Sequence, residues 1–298
     1  MGRRDKMENG KVAFVASILL VALIYFASVK EIAIPIEKIK EIQMIVDETS
    51  HGKVQVDWRN VAAVVHTEYG LNSVSKNEIK SITARFIGKR ENDYILKDMQ
   101  QVTKDMKYNQ KQKKRVGSFL KQLSSEGDIA AKNNNNSMQR YFIESIEEAA
   151  ISNYKAYKIL PSITIAQAIL ESNWGRSQLS TKYHNFFGIK SYNWNEKTAN
   201  LSTNEFYNQT IKDDFRVYED VYESVEDHGL FLSENPRYRK HGLFSSNTYM
   251  EQALALQEAG YSTIENEEGE RIYSKQLIEL IQQYQLQLID SNVQLKYA

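Results

Sequence analysis

A mainly α-helical fold is predicted, with one small β-hairpin lobe in the C-terminal half and, ahead of it, a transmembrane helix followed by a helical juxtamembrane region. Three observations carry this reading. Val12 to Val29 is an uncharged, largely apolar run; apolar positions between Pro35 and Phe86, and again from Ile163 to Leu170, recur at helical spacing; and Leu201 to Tyr207 and Ile211 to Tyr218, separated by Asn208-Gln209-Thr210, read as two β-prone runs of a hairpin.

The N-terminal run spans eighteen residues, near the lower limit for crossing a bilayer as a helix. Arg3, Arg4, Lys6 and Lys11 precede it against Asp5 and Glu8, so the positive-inside rule puts the tail in the cytoplasm and everything after Lys30 outside, as a single-pass protein of the cell membrane. A cleaved signal peptide is the competing reading, but its apolar core runs roughly 7–15 residues to a small-x-small site. This run is longer, and Ala27-Ser28-Val29 is a weak site, so residues 1–30 read as a tail and uncleaved anchor. Ala13, Ala16, Ser17, Ala22, Ala27 and Ser28 permit close helix packing and make a polytopic membrane protein an expected partner, with lipid-facing filler the equal alternative.

Beyond the anchor, Ile36, Ile39, Ile42 and Ile45 stripe an amphipathic helix despite Pro35 near its start, and residues 31–56 read as a stalk. A second helical block, 57–130, opens at Asp57-Trp58 with Val61, Ala62, Val64 and Val65 as a core stripe. It continues through Ile79, Ile82 and Phe86 into a charged stretch, as a spacer or partner-docking module. Asn133 to Asn136 disfavours helix and strand alike, so residues 131–138 read as a linker and 139–298 as a separate C-terminal domain.

Formal net charge is zero, with 42% hydrophobic residues and eighteen Tyr, and mean hydropathy is −0.53; the bulk of the chain is water-facing, and no global basic bias points to nucleic acid. Lys111 to Arg115 is a local basic run, a solvated helix face before it is a contact for anionic wall polymer or lipid. Cysteine is absent, which excludes disulfides and thiolate metal sites and suits export. His51, His66, His184, His228 and His241 are scattered without the i, i+4 spacing of a helical zinc site, so neither metal nor cofactor is expected.

The most informative stretch is 169–190. Ile163, Ala166, Gln167, Ile169 and Leu170 read as a buried helix started by Pro161 and Ser162, ending on Glu171 and followed by an aromatic, Gly-punctuated loop. A carboxylate emerging from such a helix is partly desolvated, which raises its pKa and lets it donate a proton near neutral pH.

This segment resembles the motif of bacterial cell-wall N-acetylglucosaminidases, the flagellar, autolysin and phage glucosaminidase domains grouped as glycoside hydrolase family 73. The residues are Ala166-Gln167-Ala168-Ile169-Leu170-Glu171-Ser172, Trp174-Gly175-Arg176-Ser177 and Asn185-Phe186-Phe187-Gly188-Ile189-Lys190. Thr203-Asn204-Glu205, Phe215-Arg216-Val217-Tyr218, Asn235-Pro236-Arg237-Tyr238 and Ala259-Gly260-Tyr261 follow in the family's order, so the resemblance covers about residues 139–290. With its N-terminal anchor the chain is similar to the membrane-bound glucosaminidases of Gram-positive bacteria, of the staphylococcal SagB type.

The resemblance implies a lysozyme-like helical catalytic domain with a β-hairpin lobe, acting on peptidoglycan glycan strands at the β-1,4 bond from N-acetylglucosamine to N-acetylmuramic acid. Glu171 is the implied general acid. Glu205 is the implied second carboxylate, ahead of Asp213, Asp214 and Glu219, and Tyr261 the implied active-site tyrosine, orienting water or the substrate's acetamido group. Trp174 and Trp194 are candidate sugar platforms, with Tyr183, Tyr192 and Asn185 nearby. Trp174 reads first as packing, and Arg216 is either a substrate contact or a structural ion pair. The chain departs from the family's A-G-Y-A-T-D-x-x-Y-A after Tyr261, with Ser262-Thr263-Ile264 and an acidic insertion, Glu265 to Glu270, before Ile272-Tyr273-Ser274. A lytic transglycosylase, or a wall-binding scaffold without catalysis, are the alternatives.

Overall fold

A computed structural model describes residues 35–133, 137–192, 194–205 and 209–297, with side chains except at 125–133, 203–205 and 209–211. The expected anchor, Val12 to Val29, lies outside the described residues; among these, no helix is long and apolar enough to cross a membrane. From Lys38 onward the chain packs as one unit.

Capping sets the first elements. Helix α1 (Ile36–Ser50) starts directly after Pro35. In α2 (Trp58–Glu68) the Asp57 carboxylate accepts from Arg59 N at 2.8 Å, and α3 (Lys76–Arg85) opens on a reciprocal Ser75–Glu78 capping box. A hairpin of β1 (Ile87–Arg90) and β2 (Asp93–Leu96) then pairs Ile87 with Leu96 and Arg90 with Asp93, with Glu91 left-handed in the turn. The all-helical reading of 57–130 is corrected here: Tyr94 and Ile95 suit a strand, and no apolar stripe at helical spacing crosses Gly88 to Asp93. Helices α4 (Met99–Asp105) and α5 (Gln110–Asn133) complete this part, with Val116, Phe119 and Leu123 of α5 packed inward.

The C-terminal part is built round α7 (Pro161–Ser172), which is buried along nearly its whole length and is mostly apolar, with Ser162, Thr164, Gln167 and Ser172 as its buried polar residues. Against it pack α6 (Ser137–Tyr157), α11 (Tyr249–Glu258), α12 (Tyr273–Tyr284) and α13 (Gln287–Tyr297). Helix α9 (Val221–Glu234) lies against α6, closely enough that a Cβ on Gly229 would fall 1.9 Å from Asn153 Oδ1. Short helices α8 (Gln178–Tyr183) and α10 (Pro236–Lys240) close loops. Strands β3 (Thr198–Glu205) and β4 (Gln209–Arg216) form the expected hairpin, antiparallel from Thr198 opposite Arg216 to Glu205 opposite Gln209.

The segment read as a stalk is tied to this core from residue 43 onward. Tyr249 Oη donates to Asp47 Oδ2 at 2.6 Å, Trp58 Nε1 to Gln285 Oε1 at 2.7 Å, and the backbone N–H groups of Gly52 and Gln55 to Glu251 and Gln294, each at 2.9 Å. Ile42, Ile45 and Val46 are buried beneath these bonds, whereas Ile36, at the start of the same stripe, is 70% exposed.

Candidate active site

Pro161 occupies the first turn of α7, where its missing N–H costs nothing. Ser162, expected as the cap, lies one residue inside the helix instead, and its N–H and Oγ both donate to buried Asp290 of α13, at 2.9 and 2.5 Å. A carboxylate distant in sequence thus caps this helix in place of a local side chain.

At the other end the chain leaves α7 through three successive left-handed residues, Asn173 (φ 51°), Trp174 (φ 62°) and Gly175 (φ 67°). Ser172 pins the loop: its Oγ donates to Ala168 O at 2.5 Å and accepts from Gly175 N at 2.7 Å, and its carbonyl accepts from Ser177 N at 2.9 Å. Gly175 has no substitute, because a Cβ there would meet the Phe142 ring at 2.7 Å in a backbone conformation that already disfavours a side chain.

Glu171 therefore sits at the last ordered turn of a rigid helix. One side of its side chain opens to solvent, while the surrounding protein displaces much of its hydration. That desolvation raises the carboxyl above its ordinary value, against the smaller lowering effect of a hydrogen bond from Tyr273. Tyr273 Oη lies 3.0 Å from Glu171 Oε1 and is itself 3.0 Å from Gln167 Nε2. Tyr261 stacks on the Tyr273 ring with centroids 5.4 Å apart and planes 18° from parallel, and it also touches Tyr238 and His228. Burial pushes the Tyr261 and Tyr273 hydroxyls well above the usual tyrosine range, so both stay protonated donors. His228 is fully buried on Phe187 at 3.9 Å, and desolvation lowers its pKa to about 3, which keeps it neutral.

Of the expected site residues, the structure brings Glu171 and Tyr261 together. Glu205 ends strand β3, and its side chain lies outside the described residues. Trp174 turns inward, edge-on to Tyr284 at 4.9 Å and Phe142 at 6.0 Å. With Tyr141, Phe142 and Phe186 it lines a groove of about 370 Å³ in which Glu171 has no part. Asn185 is buried, donating to Ile189 O and Arg216 O at 2.9 Å and accepting from Ile189 N at 3.0 Å, so it braces the loop to β4. Tyr183 is half-buried, and its carbonyl accepts from Tyr218 N. The guanidinium of Arg216 lies 4.5 Å over Trp194 and grips Asp227, the ion-pair side of the alternative left open for it. Tyr273 is not among the residues that the sequence marks for the site; its one signal is the second tyrosine of the family pattern, displaced here by the acidic insertion.

Residues 147–286 match the family described as mannosyl-glycoprotein endo-beta-N-acetylglucosaminidase. The chain is 34% identical over 174 residues to the exo-glucosaminidase LytG of Bacillus subtilis, covering 56% of this chain and 59% of that protein. To the peptidoglycan hydrolase FlgJ of Salmonella typhimurium it is 34% identical over 129 residues, 41% of this chain and 38% of that one. The chain thus spans less than two thirds of the length of these curated relatives, 59% of one and 38% of the other. A crystal structure of the catalytic domain of the autolysin Auto from Listeria monocytogenes is 34% identical, with a TM-score of 0.45 over 56% of this chain and 96% of that one.

Proposed function

Because the chain belongs to the bacterial cell-wall glucosaminidase family through residues 147–286, we propose that it hydrolyses peptidoglycan glycan strands at the β-1,4 bond between N-acetylglucosamine and N-acetylmuramic acid, with Glu171 as general acid. The observation that carries this is the Glu171 environment: a carboxyl raised by desolvation, open to solvent on one side, and fixed on the other by Tyr273. A sugar alkoxide is a poor leaving group, so the bond from the anomeric carbon to the bridging oxygen breaks as the Glu171 proton moves onto that oxygen. Water supplies the hydroxyl that ends on the anomeric carbon; its remaining proton passes to the base that activates it and on to solvent, and solvent returns a proton to Glu171. Glu205, on the tip-side end of β3, is our candidate to activate that water or steady the positive sugar, with Tyr261 orienting water or the acetamido group.

We further place the enzyme at the cell membrane, anchored by Val12 to Val29 with the catalytic domain outside. Purified chain incubated with isolated peptidoglycan tests the reading. Hydrolysis releases new reducing ends of N-acetylglucosamine, whereas a transglycosylase leaves 1,6-anhydro-muramyl ends, and mass spectrometry separates the two. Glu171→Gln keeps the shape and removes the titrating proton, so cleavage falls by at least about 10²-fold with the fold intact. Near wild-type cleavage by that variant sinks the assignment.

A further inference from the structure

Resting on Glu171 as the acid, we propose that Tyr273, together with Gln167, is a positioning pair that decides which oxygen of Glu171 carries the catalytic proton. Gln167 and Glu171 are one helical turn apart on α7, so they share a face, and Tyr273 enters that face from the first residue of α12. Its hydroxyl has one hydrogen. Gln167 Nε2 donates into the hydroxyl oxygen at 3.0 Å, which leaves that single hydrogen for Glu171 Oε1, also at 3.0 Å. With Oε1 occupied as an acceptor, the transferable proton resides on Oε2.

The surroundings hold this direction. Tyr273 is fully buried, and Tyr261 lies over its ring, so the phenol neither rotates nor exchanges partners with water. Gln167 is fully buried too, and its Oε1 has no partner. Turning the amide over would present Oε1 to the hydroxyl and draw its hydrogen away from Glu171. The groups that act on this cluster are Glu171 and Gln167 from α7, Tyr273 from α12, Tyr261 after α11, Tyr238 and the cation of Arg237 on α10, and Tyr218 beyond β4.

Tyr273→Phe removes the donor that favours ionised Glu171. The alkaline limb of the pH profile of kcat/KM, where the acid loses its proton, moves to higher pH, and kcat falls about tenfold with KM held within about twofold. Gln167→Leu keeps the hydroxyl but frees its oxygen to accept the Glu171 proton, so the limb moves in the same direction with the tyrosine present. In a Glu171→Gln background, Tyr273→Phe costs no further activity, because the tyrosine acts only through the acid. A limb unmoved in both single variants, or a full additional loss in the double variant, overturns the inference. If Glu171→Gln itself keeps wild-type activity, the general-acid reading fails first.

Discussion

Arg216 Nη1 reaches both carboxylate oxygens of Asp227, each at 2.8 Å, and Tyr218 Oη donates to one of the same oxygens at 2.5 Å. The pair is only 15% and 8% exposed, and it fastens the end of β4 to α9. Removing one partner leaves the other charge buried, so Arg216→Ala destabilises the protein by about 3–5 kcal/mol. Arg216 also donates to Lys190 O and Tyr192 O and lies over Trp194. We expect a clear fall in Tm with KM for glycan changed less than twofold, roughly the limit for a residue without a substrate contact. A large rise in KM at unchanged Tm would return Arg216 to the substrate.

Two glycines predict opposite signs. At Gly229 a Cβ would lie 1.9 Å from Asn153 Oδ1 and 2.5 Å from Tyr157 Cδ2, so Gly229→Ala forces α9 and α6 apart at a cost of about 1–3 kcal/mol. Gly117, inside α5, has nothing within 4 Å of its Cβ position, and Gly117→Ala stabilises by about 0.5–1 kcal/mol. Urea unfolding of the two variants checks both.

Desolvation raises Asp290 from 3.8 to about 7, against the lowering effect of its Ser162 hydrogen bonds. A pKa higher in the folded state gives stability that is fully present below the unfolded value and is lost as pH rises through the folded one. The wild type therefore loses stability from this group between about pH 4 and pH 7. Asp290→Asn keeps an acceptor for Ser162 N and cannot ionise, so its Tm falls less than that of the wild type from pH 5 to pH 8. Other titrating groups are common to both proteins and drop out of the difference. Equal slopes would refute the assignment.

Tyr249→Phe removes the hydroxyl between Asp47 and Gln282, which stand 2.6 and 2.9 Å from it. Losing a donor to a half-buried carboxylate costs about 1–3 kcal/mol. Amide hydrogen exchange quickens in residues 38–58 and stays slow in α7, and wall cleavage persists.

What could be read from sequence was local. Pro161, the apolar run to Leu170 and the glycines after Glu171 declare a buried helix that ends on a carboxylate, and β-prone runs round Asn208 declare the hairpin. The rest depends on contacts across the fold. Tyr273 meets Glu171 over a separation of 102 residues, Asp290 caps Ser162 over 128, and Tyr249 reaches Asp47 over 202. Each pairs a common polar side chain with a partner that only helix packing selects, so no periodicity announces it. Asn185 shows the same limit: its neighbours suggest a groove, but its amide is consumed by Ile189 and Arg216.

The bonds from Gly52, Gln55 and Trp58 to three different stretches of the C-terminal part, at Glu251, Gln294 and Gln285, make residues 43–58 a bracket rather than a rope. A rope would let Glu171 sample every direction within its length. A bracket resists twisting as well as stretching, so within the unit that begins at Lys38 a pull on residues 43–58 is felt at Glu251, Gln285 and Gln294 at once, and the C-terminal part turns with it instead of swinging beneath it.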